Sequence, residues 1–429
     1  MAERDVTESA LAADVAVVGA GPAGIAAAVH AAEHGARVVL LDSAPRPGGQ
    51  IWRHRSPDDL PRAAIAWLER LRRSAVTWLP GTTVVDAVPG RRTLLAERDG
   101  RPIEVRWKAL VLATGATERF IPFPGWTLPN VFGLGGLQAL LKAGTAVSGK
   151  RVVIGGSGPL LLPVAASLAH AGAKLVAVAE QAPAHRVYRF AGGLWRDPGR
   201  LLQAGRYRAR FMATSYRCGS WVARVDPSGN ALWVTLTDGR RVWTESADFV
   251  AVGYGLVPAV TLARLIGCDV ADGRVAVDRR QGTSVSGVYC AGEPTGIAGA
   301  EAALAGGRAA GLAAAGAEDS GEAPDRSARR FERRLDRAFR LRDELRNLPD
   351  PDTVVCRCED VRFRQIQPGW SVRQAKLYTR AGMGPCQGRV CQPALEFLRG
   401  MPADAVRTPA FPACVATVAA PGRILQGES

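Results

Sequence analysis

Lysine is scarce in this sequence, and no apolar run is long enough to cross a membrane. Of the 55 basic residues among 429, only five are lysines, so arginine carries the formal net charge of +15. Surfaces that bind nucleic-acid phosphates more often mix the two residue types, so the charge alone does not indicate a nucleic-acid partner. The longest apolar run, residues 15–32, contains four glycines or prolines, which is typical of a strand, a turn and a helix.

Targeting signals and catalytic histidines are lacking as well. The first 13 residues carry four charges and no basic-then-apolar pattern, so they do not resemble a signal peptide. We therefore predict a cytoplasmic protein, with at most an indirect association with membranes, whose cysteines are thiols or metal ligands. The five histidines form no catalytic motif, and only His54 is expected near a cofactor. The catalytic residues thus stay unknown at this stage.

The sequence contains enough apolar residues to form a large folded core. Hydrophobic residues make up 47% and charged residues 22%, which excludes a disordered chain. The length corresponds to about three domains at ~150 residues each.

A dinucleotide-binding turn begins at Gly19. The β-branched run 14–18 leads into a G-x-G-x-x-G motif, and an alanine-rich helical stretch follows. The first glycine of this motif makes a tight turn, the second lets backbone amides approach a pyrophosphate, and the third lets the helix pack close to the strand. An acid ending the next strand is expected to accept a hydrogen bond from a ribose hydroxyl. The predicted residues are Gly19, Gly21, Pro22, Ala23, Gly24 and Asp42.

Three further segments favour FAD over NAD at this site. They are a glycine-rich loop after the second strand, the end of a buried strand at 109–113, and a G-V-Y-C-A-G-E segment before a helical stretch. These segments resemble the FAD fingerprints of the flavoprotein disulfide-reductase fold, which has two dinucleotide-binding domains. The resemblance implies a site made by Gly49, Gln50, Thr114, Gly115, Gly292 and Glu293.

The sequence departs from that family at the redox centre. Flavoprotein disulfide reductases carry a C-x-x-C or C-x4-C pair beside the flavin, whereas residues 1–320 contain only Cys218, Cys268 and Cys290, far apart in the chain. These three are expected to be small buried residues, and their spacing argues against a disulfide-reductase activity.

A second nucleotide-like unit begins with the strand 151–155. It repeats the first layout with Gly156, Gly158 and, at the end of a third strand, Glu180, but the third glycine position holds Leu161. A leucine there is expected to push the helix off the strand and narrow the approach to the phosphates. The unit either binds NAD(H) or another adenine nucleotide loosely, or it is a retained fold element without a catalytic nicotinamide.

Two segments connect these units to the C-terminal region. Short alternating strands are predicted over 221–250, as a small sheet that closes the inserted domain. The basic stretch 326–346 holds nine arginines and four acids, with Phe331, Leu335, Ala338 and Leu345 on one helical stripe. This pattern favours an amphipathic helix docked on a neighbouring element over a nucleic-acid or membrane helix.

Four cysteines then form the pattern C-x-C, 27 residues, C-x4-C. They are Cys356, Cys358, Cys386 and Cys391. Four thiolates suit a 2Fe–2S cluster or tetrahedral zinc, and zinc knuckles usually use C-x-x-C at both ends, so iron–sulfur is favoured. The glycines around the second pair leave backbone amides free to donate to sulfur. The CRCED and GMGPCQGRVC motifs closely resemble the bacterioferritin-associated-ferredoxin-like 2Fe–2S domain.

Taken together, residues 12 to about 400 resemble the larger FAD-containing subunits of hetero-oligomeric amine dehydrogenases. The motifs GAGPAG, GGQIW, GSGPLLL, GVYCAGE and the cysteine pattern occur in the order of that family. The family includes the A subunit of opine oxidase, the alpha subunit of hydroxyproline dehydrogenase and the B subunit of hydrogen cyanide synthase. The resemblance implies a smaller catalytic partner that resembles D-amino-acid oxidase, and an electron relay through FAD and a 2Fe–2S cluster to an external acceptor.

We therefore predict an α/β fold with two Rossmann-like domains and a small α-rich 2Fe–2S domain. The expected parts are an FAD domain at 12–120 and 246–320, an inserted NAD-like domain at 121–245, a basic helical linker at 321–350, a 2Fe–2S domain at 351–400 and a tail at 401–429. The predicted function is that of an electron-transferring subunit of an amino-acid, imino-acid or opine dehydrogenase. The alternatives are a self-sufficient NAD(P)H-dependent FAD/iron–sulfur reductase, one subunit of a cyanide-forming glycine dehydrogenase, and a non-enzymatic redox sensor or scaffold.

Overall fold

The structure is a computed structural model that describes residues 10–54, 60–318, 326–401 and 406–419. Residues 55–59 and 319–320 of the predicted FAD domain, the first five residues of the linker, and residues 402–405 and 420–429 of the tail lie outside the described residues. Inter-residue contacts divide the chain into two compact units, one of Met1–Ala116, Pro258–Glu332 and Ala405–Ser429, the other of Thr117–Val257 and Arg333–Asp404.

In two stretches of the chain, residues 77–133 and 215–258, strands follow one another without an α-helix between them, and helices separate most of the other strands. The strands are β1 Ala10–Val18, β2 Val38–Leu41, β3 Thr77–Leu79, β4 Thr82–Val88, β5 Thr93–Arg98, β6 Arg101–Leu112, β7 Ala116–Glu118, β8 Val131–Gly133, β9 Arg151–Gly156, β10 Lys174–Glu180, β11 Ser215–Cys218, β12 Trp221–Ser228, β13 Ala231–Thr237, β14 Val242–Ala247, β15 Phe249–Gly253, β16 Leu256–Pro258, β17 Val270–Ala271, β18 Arg274–Val275, β19 Val288–Cys290, β20 Val354–Cys356 and β21 Val361–Arg362. The α-helices are α1 Pro22–Glu33, α2 Arg62–Arg73, α3 Leu134–Lys142, α4 Leu161–His170, α5 Ala184–Gly192, α6 Pro198–Ala209, α7 Thr261–Ile266, α8 Ala300–Ala314, α9 Arg326–Ala338, α10 Val372–Thr379, α11 Cys391–Arg399 and α12 Val415–Val418.

The first unit is built on a seven-stranded sheet. Its order is β3-β2-β1-β6-β5-β4, and β19 also pairs with β6. The strands β1, β2, β3 and β19 run parallel to their neighbours, whereas β4, β5 and β6 form an antiparallel meander. All four residues of β2 are buried, as is typical of a parallel strand covered on both faces.

The second unit contains a five-stranded parallel sheet in the order β11-β10-β9-β15-β8. The three-stranded antiparallel sheet β12-β13-β14 lies between β11 and β15 in the chain, as the alternating pattern predicts. The cysteine-containing segment belongs to this unit, and its own core includes Val361, Ile366 and Leu395. The expected α/β architecture with two Rossmann-like domains is therefore confirmed, while the domain bounds given above stay predictions.

The basic helix is shorter than the sequence pattern indicates. Helix α9 ends at Ala338, and a separate 3-10 turn covers Asp343–Asn347. Leu345 is fully buried, but it lies on that turn and not on the stripe of α9. Within the part of the chain that the structure describes, no helix is both long and apolar enough to span a bilayer.

Candidate cofactor sites

The first nucleotide turn requires glycine for steric reasons. At Gly19 the φ angle is +106°, and a Cβ atom would lie 2.2 Å from the carbonyl oxygen of Ala113. At Gly24 a Cβ atom would lie 1.7 Å from the carbonyl oxygen of Gly19. Only glycine lets β1 turn against β6 and lets α1 begin directly after the turn.

This turn presents unpaired backbone amides at the start of α1. Among the described residues, the amides of Gly21, Ala23 and Gly24 have no protein acceptor, since the first turn of a helix lacks intrahelical partners. The loop at Gly49 faces them, because a Cβ atom there would lie 3.0 Å from the Cα atom of Gly21. Free amides at a helix N-terminus bind phosphate, so this end of α1 is fit to hold a pyrophosphate.

Asp42 follows β2 directly. Its carboxylate accepts hydrogen bonds from the backbone amides of Ala20, at 2.5 Å, and Ala44, at 2.7 Å. It therefore fixes both the turn and the loop after β2, and each oxygen keeps a lone pair for a further donor. The ribose contact expected of Asp42 stays a prediction. Gln50 is exposed on the facing loop.

The structure brings the predicted flavin-side residues together beside this turn. Gly292 has a φ angle of +80°, and a Cβ atom there would lie 2.8 Å from the Cβ atom of Ala23. The amide of Ala116 donates to the Glu293 carboxylate, while burial raises the pKa of that carboxyl above its usual value. A Cβ atom at Gly115 would lie 3.6 Å from a Glu293 oxygen. Thr114 Oγ1 donates to the carbonyl of Ala259 at 2.7 Å.

Helix α8 holds α1 in place through backbone contacts. A Cβ atom at Gly307 would lie 2.1 Å from the carbonyl oxygen of Ala23, and one at Gly311 would lie 2.2 Å from that of Ala27. Since neither glycine has a side chain, the two helices approach along their backbones. The phosphate-facing end of α1 is thereby fixed from two sides, by β1 and by α8.

No redox-active cysteine pair occurs at this site among the described residues. Cys290 is fully buried and Cys268 nearly so, both as free thiols, and burial raises the pKa of each thiol. A thiol with a raised pKa is a poor nucleophile. His54 Nδ1 lies 2.8 Å from the carbonyl oxygen of Trp52, a local contact within the loop.

The second nucleotide turn lacks the helical first turn that follows the glycines of the first site. Helix α4 begins only at Leu161, whereas α1 begins at Pro22, directly after the second glycine of its turn. The Leu161 side chain is fully buried in the core of the second unit. The first turn of helix that would present amides to a phosphate is thus replaced by a bend at 157–160.

Glu180 is fully buried beneath this turn. Its carboxylate accepts hydrogen bonds from the amides of Gly158, at 2.7 Å, and Ala182, at 2.8 Å. Burial raises the pKa of Glu180 to about 7, although these amide donors and Ser157 act in the opposite direction. The predicted ribose-binding acid therefore lies inside the protein and supports the backbone of its own turn.

A buried acid that sequence reasoning missed is Glu118. Its carboxylate accepts a hydrogen bond from the amide of Gly135 at 3.0 Å, at the start of α3. Burial raises the pKa of Glu118 to about 7, against the opposing effect of the amides at 134–136. Gly253 leaves the necessary space, because a Cβ atom there would lie 2.2 Å from a Glu118 oxygen. The glycine pair at the start of α3 is the one sequence signal for this site.

The four C-terminal cysteines lie on a short hairpin, a glycine-rich loop and the first residue of α11. Cys356 ends β20 and Cys358 lies in the following turn. The thiols of Cys356 and Cys391 interact with each other, as do those of Cys358 and Cys386. The Cys391 sulfur also lies 4.0 Å from the carbonyl oxygen of Gly388. The first pair is buried, whereas Cys358 is exposed. These are two thiol pairs, one inner and one outer.

Backbone amides surround the inner pair. The Cys391 thiol is the main cause that lowers the pKa of Cys356 to about 6, and the amides of Gly382, Glu359 and Cys358 lower it further. The amide of Gly382 lies 3.5 Å from the Cys356 sulfur. Gly384 must be glycine because a Cβ atom there would lie 2.3 Å from that of Cys358. Amide donors directed at sulfur are the surroundings expected of iron–sulfur ligands.

Among the described residues, no group of three or more histidine, cysteine, aspartate or glutamate side chains is arranged to hold a single metal ion. In a 2Fe–2S cluster each of the two irons takes two protein ligands, so such a cluster requires two pairs of thiols. A set of two thiol pairs suits a single zinc ion less well, since zinc requires all four ligands around one point.

The first unit thus has the fold and the turn chemistry of an FAD-dependent oxidoreductase. A model of the pyridine nucleotide-disulphide oxidoreductase family matches residues 13–307, and the chain belongs to this family. The A subunit of opine oxidase from Agrobacterium tumefaciens (strain Ach5) is 34% identical over 424 residues, which are 88% of this chain and 84% of that protein. The HcnB subunit of hydrogen cyanide synthase from Pseudomonas aeruginosa is 34% identical over 419 residues, 87% of this chain and 90% of that protein.

A solved structure shows the same fold over nearly the whole chain. The crystal structure of L-proline dehydrogenase from P. horikoshii has a TM-score of 0.66 at 19% sequence identity, covering 96% of this chain and 80% of that one. The predicted resemblance to the larger opine oxidase subunits is therefore confirmed, as are the disulfide-reductase-like architecture and the assignment as an FAD-dependent oxidoreductase.

Proposed function

We propose that this chain is the electron-transferring FAD and 2Fe–2S subunit of a hetero-oligomeric amino-acid, imino-acid or opine dehydrogenase. It would take electrons from a smaller, flavin-containing catalytic partner and pass them to an external acceptor, in the cytoplasm. The observation that carries the proposal is the set of two thiol pairs in a chain whose other unit has an FAD-binding fold. The relatives named above are subunits of opine oxidase and of hydrogen cyanide synthase, which supports a multi-subunit assembly.

The residues of the first unit fit FAD. The free amides of Gly21, Ala23 and Gly24 would bind the pyrophosphate, Asp42 would accept from the ribose, and Glu293 would lie toward the flavin side. Bound FAD supplies two-electron redox chemistry, and a 2Fe–2S cluster supplies one-electron transfer. A chain that holds both can connect a two-electron oxidation to a one-electron acceptor.

The cysteines would hold the cluster as two pairs, Cys356 with Cys391 and Cys358 with Cys386. The amide of Gly382 is placed to donate to the Cys356 sulfur, and such donors raise the potential of a cluster. The solvent-exposed position of Cys358 makes the outer pair the side from which an acceptor would be reached.

The cluster is tested by spectroscopy of the anaerobically purified full chain. We expect visible absorption and a reducible 2Fe–2S signal by electron paramagnetic resonance, with about two irons per chain. Cys358→Ser should abolish this signal. The matched control is Cys414→Ser, an exposed cysteine outside the two pairs, which should leave it unchanged. One zinc and no iron per chain would contradict the proposal.

The partner is tested by co-purification. Tagged full-length chain, produced together with the gene products encoded beside it, should retain a second flavoprotein and reduce an artificial dye with an opine, a proline derivative or another amino acid. The isolated chain should reduce no dye with any of them. Turnover by the isolated chain would refute the division of labour between two subunits.

A second candidate substrate class is glycine. The 34% identity to the HcnB subunit of hydrogen cyanide synthase favours it as strongly as the opine oxidase match favours opines. The same complex supplied with glycine distinguishes the two, because cyanide release marks the glycine class. A pocket for the substrate would lie in the partner chain under this proposal.

A further inference from the structure

The chain that follows helix α9 lies across the second nucleotide turn. Residues 339–342 leave the helix and pass over the turn that begins at Gly156. Ser157 Oγ donates to the carbonyl of Phe339 at 3.2 Å. The Phe339 ring borders Gly158, because a Cβ atom there would be in van der Waals contact with it at 3.9 Å.

A fully buried amide side chain fixes this arrangement. Gln181 Nε2 donates to Ser157 Oγ at 2.8 Å and also lies 3.4 Å from the Phe339 carbonyl. The amide of Arg342 donates to Gln181 Oε1 at 3.2 Å. Both ends of the Gln181 side chain are therefore engaged, one with the turn and one with the 339–342 segment, and Gln181 has no exposure to solvent.

Side chains of the 339–342 segment pack on the neighbouring elements. The Phe339 ring meets the Phe190 ring edge-on at 5.1 Å, and the Arg342 guanidinium lies 4.9 Å from the centre of the Trp221 ring. These aromatic and cation–π contacts hold both ends of the segment to the elements around the second turn.

The turn has also lost its phosphate donors. The amide of Ser157 donates to Gly253, that of Gly158 to Glu180 and that of Leu161 back to Gly158. The amide of Leu162 donates to the carbonyl of Pro159. Pro159 itself has no amide hydrogen to offer a phosphate. Among the described residues of the turn, only Leu160 keeps an amide without an acceptor, whereas the first turn keeps three.

We infer that the second dinucleotide fold is a peptide-binding site, that its ligand is this chain's own segment 339–342, and that it takes no nicotinamide or adenine nucleotide. The amides that would bind a pyrophosphate and the acid that would bind a ribose are used inside the protein, and the backbone carbonyl of Phe339 is hydrogen-bonded to Ser157 of the turn. The site then anchors the start of the segment that leads to the four cysteines. This inference holds whether or not the cysteines bind a cluster.

The test uses hydrogen–deuterium exchange of the full FAD-loaded chain. In the wild type, the Arg342 amide should exchange slowly. Gln181→Leu keeps the volume but removes both polar ends, and should speed exchange across 339–342 by about tenfold or more. The matched control is Gln203→Leu, an exposed glutamine on α6 whose side chain donates a hydrogen bond to Tyr207, and it should change nothing at 339–342.

The second arm adds NADH, NADPH or ATP at about 1 mM to the wild type. We expect no bleaching of the flavin and no change in exchange at 339–342. Nucleotide binding that leaves this exchange unchanged lies elsewhere and agrees with the inference. A nucleotide that binds below about 100 μM and speeds exchange at 339–342 displaces the segment and overturns it. Rapid exchange of the Arg342 amide in the wild type overturns it as well.

Discussion

Replacing Gly24 with alanine tests the interpretation of the first nucleotide site most directly. The substitution should favour the helix itself by up to about 1 kcal/mol, because glycine inside a helix is less favourable than alanine. Against this, the new Cβ atom would lie 1.7 Å from the carbonyl oxygen of Gly19 and 3.3 Å from the Cβ atom of Ala113. The start of α1 must therefore move away from β1 by about 1 Å or more.

A displacement of this size lengthens hydrogen bonds from the amides of Gly21 and Ala23 beyond their useful range. Two charge-assisted hydrogen bonds of about 1.5 kcal/mol each are then lost, so FAD should bind roughly 100-fold more weakly. Fluorescence titration of the apoprotein with FAD measures this affinity, and thermal unfolding without FAD reports damage to the fold. An FAD affinity within about threefold of the wild type would refute the steric role of Gly24.

The matched control is Gly205→Ala. Gly205 lies inside helix α6, and a Cβ atom there would meet nothing within 4 Å. The same change of residue should therefore raise stability by about 0.5–1 kcal/mol and leave FAD affinity as it is.

Two further predictions concern the second unit. Because burial raises the pKa of Glu180 from 4.5 to about 7, its stabilising contribution is complete below pH 4.5 and is lost as the pH rises through 7. Relative to Glu180→Gln, the wild type should lose on the order of 3 kcal/mol over that range, as measured by denaturant unfolding at several pH values, and parallel curves would contradict this. Trp126→Phe removes the hydrogen bond from Trp126 Nε1 to the Val354 carbonyl, at 2.6 Å, and leaves that carbonyl unpaired. It should lower the free energy of unfolding by about 1–3 kcal/mol in the same assay, and a loss below about 0.5 kcal/mol would show that water replaces the indole.

Sequence reasoning identified both nucleotide turns because the glycines there have steric roles. Gly19, Gly24 and Gly156 each face a backbone atom less than 2.5 Å from a Cβ position, and such constraints leave a local motif in the sequence. The alternation of strands with helices indicated the two parallel sheets for the same reason, since each strand is recognisable from its own residues.

Contacts between distant residues could not be predicted in this way. The stripe of apolar residues indicated a helix that continues to Leu345, yet α9 ends at Ala338. No glycine or proline stops it there. The carbonyl of Phe339 accepts from Ser157, 182 positions earlier in the chain, and a tertiary contact of this kind overrides local helix propensity. Gln181 carries no motif for the same reason, because its partners become neighbours only in the folded chain.

The pairing of the cysteines was likewise not readable from their spacing. Cys356 ends β20 and Cys358 lies in the turn that follows it. Each of them interacts with a cysteine of the later motif, Cys391 or Cys386. The spacing was sufficient to predict which four cysteines belong together, whereas their arrangement depends on how the hairpin folds.

The backbone contact between α1 and α8 has a consequence for how this chain can diverge. Contacts between side chains can adjust by changing rotamers, whereas Gly307 and Gly311 meet carbonyl oxygens of α1 with no rotatable group in between. An enlarged residue on α8 can therefore be accommodated only by moving the whole helix. In a comparison of related sequences, the positions of Ala23, Ala27, Gly307 and Gly311 should change together or remain unchanged, even where the surrounding core is extensively substituted.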